Sequence, residues 1–362
     1  MLRNLNERDD EKPKENPFEK LETHLVNIPT KDSHGKTDEK IHLDPIDDIK
    51  RDNKKSVTTK NLSWLSSVKK VSTSIANSRL FVKGDGELLF CISVDGSKHS
   101  DFAFEMVTEN FLFPYSKLLV LHVFNSKLDP IVNYNNKKTT VLEKYANKIE
   151  KFKKQSHFVT EDKMSKVHVL EQVARLAENY AANFLICGDQ GLKGPRGDNH
   201  EQVIGHEFLL GSSKTPVMII KEETIREKKK DKNFKWLVVM DRQFTYTSKA
   251  FSAFIPLIDA EKDFVYCIGG YSTSSYGTDV LKDQFMNLIE KNGIKNFEYE
   301  VIVYGPKKPL HASVIEKVNF GTIIFDFIVI YNNSGKFKSD PESNDAWNII
   351  NGTVTNVLFV NN

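Results

Sequence analysis

The chain has 362 residues, 39% hydrophobic and 28% charged, with a formal net charge of +2. That is enough apolar material for about two globular domains, and too even a charge balance for an overall bias toward nucleic acid. Its three cysteines, Cys91, Cys187 and Cys267, each stand alone in an apolar run. They form no CxxC pair and are expected to be buried, reduced thiols of an intracellular protein.

The opening "MLRNLNERDDEKPKE" has no apolar run and is not expected to be a signal peptide. The longest strongly apolar stretch, "FGTIIFDFIVIY", contains Asp326 and is too short for a membrane span. Residues 1–60 are polar, mix both charge signs and are broken by Pro13, Pro17, Pro29 and Pro45. Such a segment buries too little apolar surface to offset its ordering entropy, so a disordered N-terminal extension is expected. In 61–85, Trp64, Leu65, Val68, Val71 and Ile75 share one face at helical spacing. This predicts an amphipathic helix, docked on the protein's own domains or in a partner's groove.

From residue 86 the character changes. "LLFCISV", "KLLVLHVF", "NFLICG" and "PVMII" are short and continuously apolar, which suits parallel strands covered on both faces. "SHFVTE" is a weaker strand. Helical patterns fill the gaps at about 100–111, 139–154, 163–182 and 199–210. The basic run "KEETIREKKKDK" predicts a solvated linker, placed at 224–233. The pattern then restarts with "KWLVVMD", a helix over 245–259, "DFVYCIGG", a helix over 278–292 and "FEYEVIVYG". A helix from about Pro309, "DFIVIYNN" and "NVLFVN" complete it. "CISVDGSKHSDFAF" matches "LVVMDRQFTYTSKAF" with one insertion, and "AANFLICGDQG" matches "IFDFIVIYNNSG". The expectation is an internal duplication: two tandem five-stranded parallel doubly wound α/β domains, Rossmann-like, at 86–223 and 234–362.

Doubly wound sheets bind ligands at the carboxyl ends of the strands where strand order reverses. Asp95 ends the first strand of the first domain. Its carboxylate can contact a ligand there or cap the following helix, as Ser97 also can. "VDGS", "LLVLHVF" and "AENYAANFLICGDQG" resemble a universal stress protein domain, whose fold is of the adenine nucleotide alpha hydrolase-like kind. The second unit is similar in layout only.

The resemblance implies an adenine nucleotide, ATP or AMP, held at Asp95 with the adjoining Gly96 and Ser97, at Val123, and at Gly188 and Gly191. The family's phosphate loop reads G-x2-G-x9-G-[ST], and here Glu201 stands at the third glycine. Gly211-Ser212 leaves only three residues before Pro216, whereas a helix spanning a sheet needs roughly ten. Gly211 is therefore expected to stop a helix, not to open one. Asn199 or Asp198 as N-cap, with Glu201 in the first turn, would occupy N–H groups and repel phosphate, offset in part by Lys193 and Arg196. Gly205 is a fallback third glycine, but His206 follows it. In the second unit Tyr331 and Ser334 replace the first two glycines, and Arg242 and Gln243 follow Asp241. No nucleotide is expected there.

"DKMSKV" resembles the KMSKS loop of class I aminoacyl-tRNA synthetases, but "DGSKHS" stands where their HIGH-type motif belongs, so "KMSK" is expected to start a helix. His122 lacks neighbours at metal-ligand spacing and is expected to be a satisfied core histidine. No nucleophile elbow, HExxH or Walker A pattern occurs, and nothing suggests catalysis. Two functions follow as expectations. One is a non-catalytic scaffold or interaction protein, cytoplasmic and within a cytoskeletal or ciliary assembly. It would engage protein partners through residues 1–80, without nucleic acid or membrane, its two domains pairing through "PVMII" and "NVLFV". The alternative is an adenine-nucleotide-binding stress-response or sensor protein that uses the first domain.

Overall fold

The computed structural model describes residues 87–124, 141–152, 155–190, 205–240, 244–272, 278–305 and 307–361. The expected tail and amphipathic helix lie outside the described residues. So do Gly191, Lys193, Arg196, Asp198, Asn199, Glu201 and 241–243.

In the first half, β1 (Leu88–Ser93), β2 (Ser116–Phe124), β3 (Ser156–Asp162), β4 (Phe184–Gly188) and β5 (Val217–Ile220) alternate with helices. These are α1 (Lys98–Asn110), α2 over 141–149, α3 (Val169–Asn179) and α4 (Gly205–Ser212). The second half holds β6 (Lys235–Met240), α5 (Phe244–Phe254), β7 (Phe264–Ser272), α6 (Thr278–Lys291) and β8 (Asn296–Tyr304). It continues with α7 (Leu310–Phe320), β9 (Phe327–Asn332), α8 (Ser334–Ser339), α9 (Asp345–Gly352) and β10 (Asn356–Asn361).

All ten strands form one sheet, ordered β3-β2-β1-β4-β5-β10-β9-β6-β7-β8. Every neighbouring pair is parallel except β5 and β10, where Val217, Met218 and Ile219 face Phe359, Leu358 and Val357 antiparallel. The order 3-2-1-4-5 thus appears twice, related by a pseudo-twofold axis at that seam. Each face of the sheet carries an apolar layer that runs through both halves. One contains Phe90, Met218, Leu358, Phe327 and Trp236, the other Leu185, Ile219, Phe359 and Ile328. Burial on both faces is why the strands read as unbroken apolar runs.

The duplication extends to hydrogen bonds. Asn183 Oδ1 accepts from Leu89 N–H at 2.9 Å, and Asp326 Oδ2 accepts from Lys235 N–H at 2.8 Å. At the seam, Lys221 Nζ donates to the carbonyls of Ile350 and, at 2.6 Å, Thr353, which close α9. Its counterpart Asn361 donates from Nδ2 to the carbonyls of Leu209 (2.9 Å) and Ser213 (2.6 Å), which close α4. Each half therefore satisfies the orphan carbonyls of the other half's last helix.

Three expectations need correction. "KMSK" does not start a helix: Lys166 takes a left-handed φ of 66°, and α3 begins after His168, whose ring accepts from Leu170 N–H. The Gln172 amide fixes this turn, accepting from Met164 N–H and donating to Asp162 O. Gly211 lies inside the last turn of α4, which runs on to Ser212. The linker is not simply solvated. Thr224 and Ile225 are buried, and the Arg226 guanidinium pairs with fully buried Asp263 and stacks 4.1 Å from the Phe234 ring centroid. A count of basic residues cannot reveal such a pin, because Asp263 lies 37 positions away.

Candidate functional site

Strand order reverses between β1 and β4 in the first half, so the crevice lies beyond their carboxyl ends. Asp95, Gly96 and Ser97 form the turn from β1 into α1. Gly96 takes φ 86°, a conformation that costs glycine nothing. Asp95 Oδ1 accepts from Ser97 N–H at 2.9 Å and from the Ser100 hydroxyl at 2.7 Å. Ser97 caps α1 by accepting from Ser100 N–H at 3.2 Å. In this turn Ser97 caps α1, and Asp95 Oδ1 holds the Ser97 N–H and the Ser100 hydroxyl. Lys144 reaches over this turn to Gly96 O (3.3 Å) and Asp101 Oδ2 (2.5 Å). With Lys148 and Tyr145 also donating to it, the Asp101 carboxyl is held below its ordinary range despite the opposing effect of burial.

Val123 is half-buried on β2, opposite Glu161 of β3. Its neighbour His122 is buried, with Nδ1 2.8 Å from Val94 O, so that nitrogen carries the proton. Gly188 ends β4 under the first turn of α1. A Cβ there would stand 2.7 Å from His99 C, so close helix–strand approach alone requires this glycine. The structure thus gathers Asp95, Gly96, Ser97 and Gly188 around one helix start, with Val123 two strands from β4. Gly191 lies outside the described residues.

Sequence reasoning missed a cluster beside this crevice. His206 on α4 is buried, its Nδ1 3.9 Å from Asp189 Oδ1, and burial pushes its pKa down to about 4. Burial also lowers the pKa of Lys221, at the end of β5. Burial pushes the Cys187 thiol up to about 12 and that of Cys91 well above its usual value. Neither cysteine is a poised nucleophile. Among the described residues no His, Cys, Asp or Glu group could hold a metal ion.

The second half places different side chains at the corresponding strand ends. Tyr331 stands at the place of Gly188 and packs against the core. Asn344 caps α9 by accepting from Trp347 N–H at 2.9 Å, where a phosphate would need free N–H groups. Its amide donates to Asn332 Oδ1 at 2.8 Å, and the Asn332 amide donates to Asn361 Oδ1 (2.6 Å) and Leu210 O (2.8 Å). Asp345 in the first turn adds a carboxylate, bonded to His311 Nδ1 at 2.8 Å. By strand register, Gly269 and Gly270 replace His122 and Val123. A Cβ on Gly269 would meet the Tyr299 hydroxyl, and one on Gly270 would stand 2.9 Å from Leu310 Cδ1.

Strand order, crossing helices and carboxyl-edge crevices define a Rossmann-like α/β protein whose sheet is doubled end to end. No family model matches the chain, and no curated protein matches it in sequence. Among solved structures, a universal stress protein from Archaeoglobus fulgidus matches with a TM-score of 0.55 and 17% identity, over 78% of this chain and 97% of its own. A universal stress protein family member from Burkholderia pseudomallei matches with a TM-score of 0.27 and 16% identity, over 36% of this chain and 94% of its own. One from Arabidopsis thaliana, solved with AMP bound, matches with 0.27 and 18%, over 40% and 98%. The chain carries the universal stress protein fold. Among the described residues, no helix is long and apolar enough to cross a membrane.

Proposed function

We propose that the chain is a non-catalytic tandem scaffold built on universal stress protein-like halves, not an enzyme. The observation that carries this is the buried asparagine chain Asn344–Asn332–Asn361. It occupies the second crevice and ties it to α4 of the first half, so a ligand position has become a structural junction. The first crevice supports the same role, since Asp95 Oδ1 and the Ser97 hydroxyl already serve the start of α1. In this proposal residues 1–80 engage protein partners in a cytoplasmic, cytoskeletal or ciliary assembly. Deleting them should remove the protein from that assembly while the sheet stays folded; unchanged incorporation would count against the scaffold. The emptiness of the sites is tested by purifying the chain natively, extracting it with acid and titrating it with millimolar ATP and AMP in a calorimeter. The expected result is no nucleotide in the extract and no binding heat.

A second reading places an adenine nucleotide in the first half. It is favoured by the strand reversal that brings Asp95, Gly96, Val123 and Gly188 to one sheet edge. Stoichiometric ATP or AMP in the acid extract, lost in Asp95→Ala, would establish it over the first.

A further inference from the structure

The pseudo-twofold axis makes the surroundings of the linker repeat on the opposite side of the molecule. The linker crosses the amino edge of the second half, passing β10 and β9 to enter β6. There Asn356 Oδ1 accepts from Lys221 N–H at 2.8 Å, and Asn356 Nδ2 donates to Thr224 Oγ1 at 2.7 Å. Asn110, which ends α1, clamps the linker from above, donating to Thr224 O and accepting from Arg226 N–H, both at 2.8 Å. Lys229 pairs with Asp326 at 2.6 Å. Lys228 lies within electrostatic reach of Glu105 and Glu109 of α1.

The corresponding edge of the first half is an open groove of about 900 Å³. Its walls are the counterparts of the linker's bed. Leu88 replaces Phe234, Phe184 replaces Phe327, Pro216 replaces Asn356 and Val360 replaces Ile220. α5 stands in the place of α1, with Ser252 and Pro256 where Glu105 and Glu109 stand. The bed is thus filled on one side by the residues that lead into β6. On the other side the residues that lead into β1 are 76–86, "ANSRLFVKGDG".

We propose that residues 76–86 of this chain dock in that groove, mirroring the linker. Their reach is sufficient. Crossing from β10 past β5 and β4 to β1 covers three strand spacings, about 14 Å. Eleven extended residues span about 36 Å. Their chemistry also fits. The counterpart of Asp263 is Ser116, which offers no carboxylate for an arginine pin, and the groove lining is apolar at Leu88, Phe184 and Pro216, with Glu178, Lys214 and Lys249 also bordering it. The triplet Leu80-Phe81-Val82 supplies matching apolar contacts at the groove, next to the point where the chain enters the sheet. The docked segment would fix where the N-terminal extension leaves the sheet. This holds for either reading of the crevices.

Hydrogen exchange on the full chain tests the proposal. Amides of 80–86 should exchange at least about tenfold more slowly than unstructured chain, and Phe81→Asp or Ala253→Arg should each abolish that protection while β1 and β5 stay protected. Free exchange of 80–86 in the unmodified protein, or protection that survives Ala253→Arg, overturns it. A Phe81→Cys/Ser252→Cys pair, oxidised with copper-phenanthroline, should close an intramolecular disulfide, the native cysteines being buried. A disulfide formed only between chains would assign the groove to a second copy and overturn the proposal.

Discussion

The two halves share a strand order and a hydrogen-bond plan, yet their crevices are built from different chemistry. At the ends of β4 and β5 the first half places Gly188, Asp189 and Lys221, with His206 on α4 above them. At the ends of β9 and β10 the second half places Tyr331, Asn332 and Asn361, with Ala346 at the position of His206. Lys221 and Asn361 nevertheless perform the same task, donating to the last carbonyls of the opposite half's final helix. The seam therefore selects a hydrogen-bond donor and not a charge. Asp189 and Lys221 of the first half thus stand where the second half has the neutral Asn332 and Asn361.

The largest expected effect breaks the match at the amino edges. Asp263 is fully buried and accepts from Arg226, Phe234 N–H (2.8 Å), Trp236 Nε1 (3.2 Å) and Asp259 N–H (3.0 Å). Its first-half counterpart is Ser116, whose hydroxyl donates to Phe111 O at 3.2 Å. Asp263→Ala leaves a guanidinium without its acid and should cost about 3–5 kcal/mol in urea denaturation, against about 1 kcal/mol for Ser116→Ala. Equal losses would mean that the linker is not pinned through Asp263.

Acid comes next, because only the first half carries a histidine at this place. A buried His206 with a pKa near 4 stays neutral in the fold while the unfolded chain, near 6.5, takes up a proton. Stability should be full above about pH 6.5 and fall as pH drops toward 4, by on the order of 3 kcal/mol. His206→Gln should flatten that slope in urea midpoints taken between pH 4 and 7. An unchanged slope would place the acid sensitivity elsewhere.

The sheet was legible in the sequence because strands buried on both faces leave unbroken apolar runs, and the repeated strand order of its halves follows motifs that recur 140 to 147 positions apart. Asp95 and Ser97 were legible as alternatives only. A carboxylate two residues before a cap looks the same in sequence whether it serves a ligand or the turn, and only the Ser100 hydroxyl at 2.7 Å shows the second use. The linker's pin and the asparagine chain were not legible, since they join residues 37 and 29 positions apart. Short helices α8 and α9 also escaped notice. In α9, four apolar residues in eight, packed beside a capped turn, leave no long periodic pattern to read.

Glycine 188 gives a smaller but sharper contrast. Gly188→Ala forces a methyl to within 2.7 Å of the His99 backbone and should cost roughly 1–3 kcal/mol, although Tyr331 fills the same position in the other half. A loss near zero would show that α1 can retreat as freely as its counterpart has.

The smallest expected effects lie at the two caps. Ser97→Ala removes a side-chain acceptor from a helix start and should cost about 1 kcal/mol, with Ser97→Gly costing only a few tenths; the cap part of an Asn344 substitution is of the same size. The caps are not equivalent in what else they hold. Ser97 Oγ also shares a 2.9 Å hydrogen bond with the Ser100 hydroxyl that anchors Asp95, whereas Asn344 leads into the buried seam. Ser97→Gly should therefore cost little and act only on the first crevice. Asn344→Gly should cost more than its cap alone, because Asn332 Oδ1 loses the amide that donates to it. Thermal melts of the two glycine variants decide this. A larger loss for Asn344→Gly marks the second crevice as structural, and equal losses would show that the asparagine chain adds nothing beyond the cap.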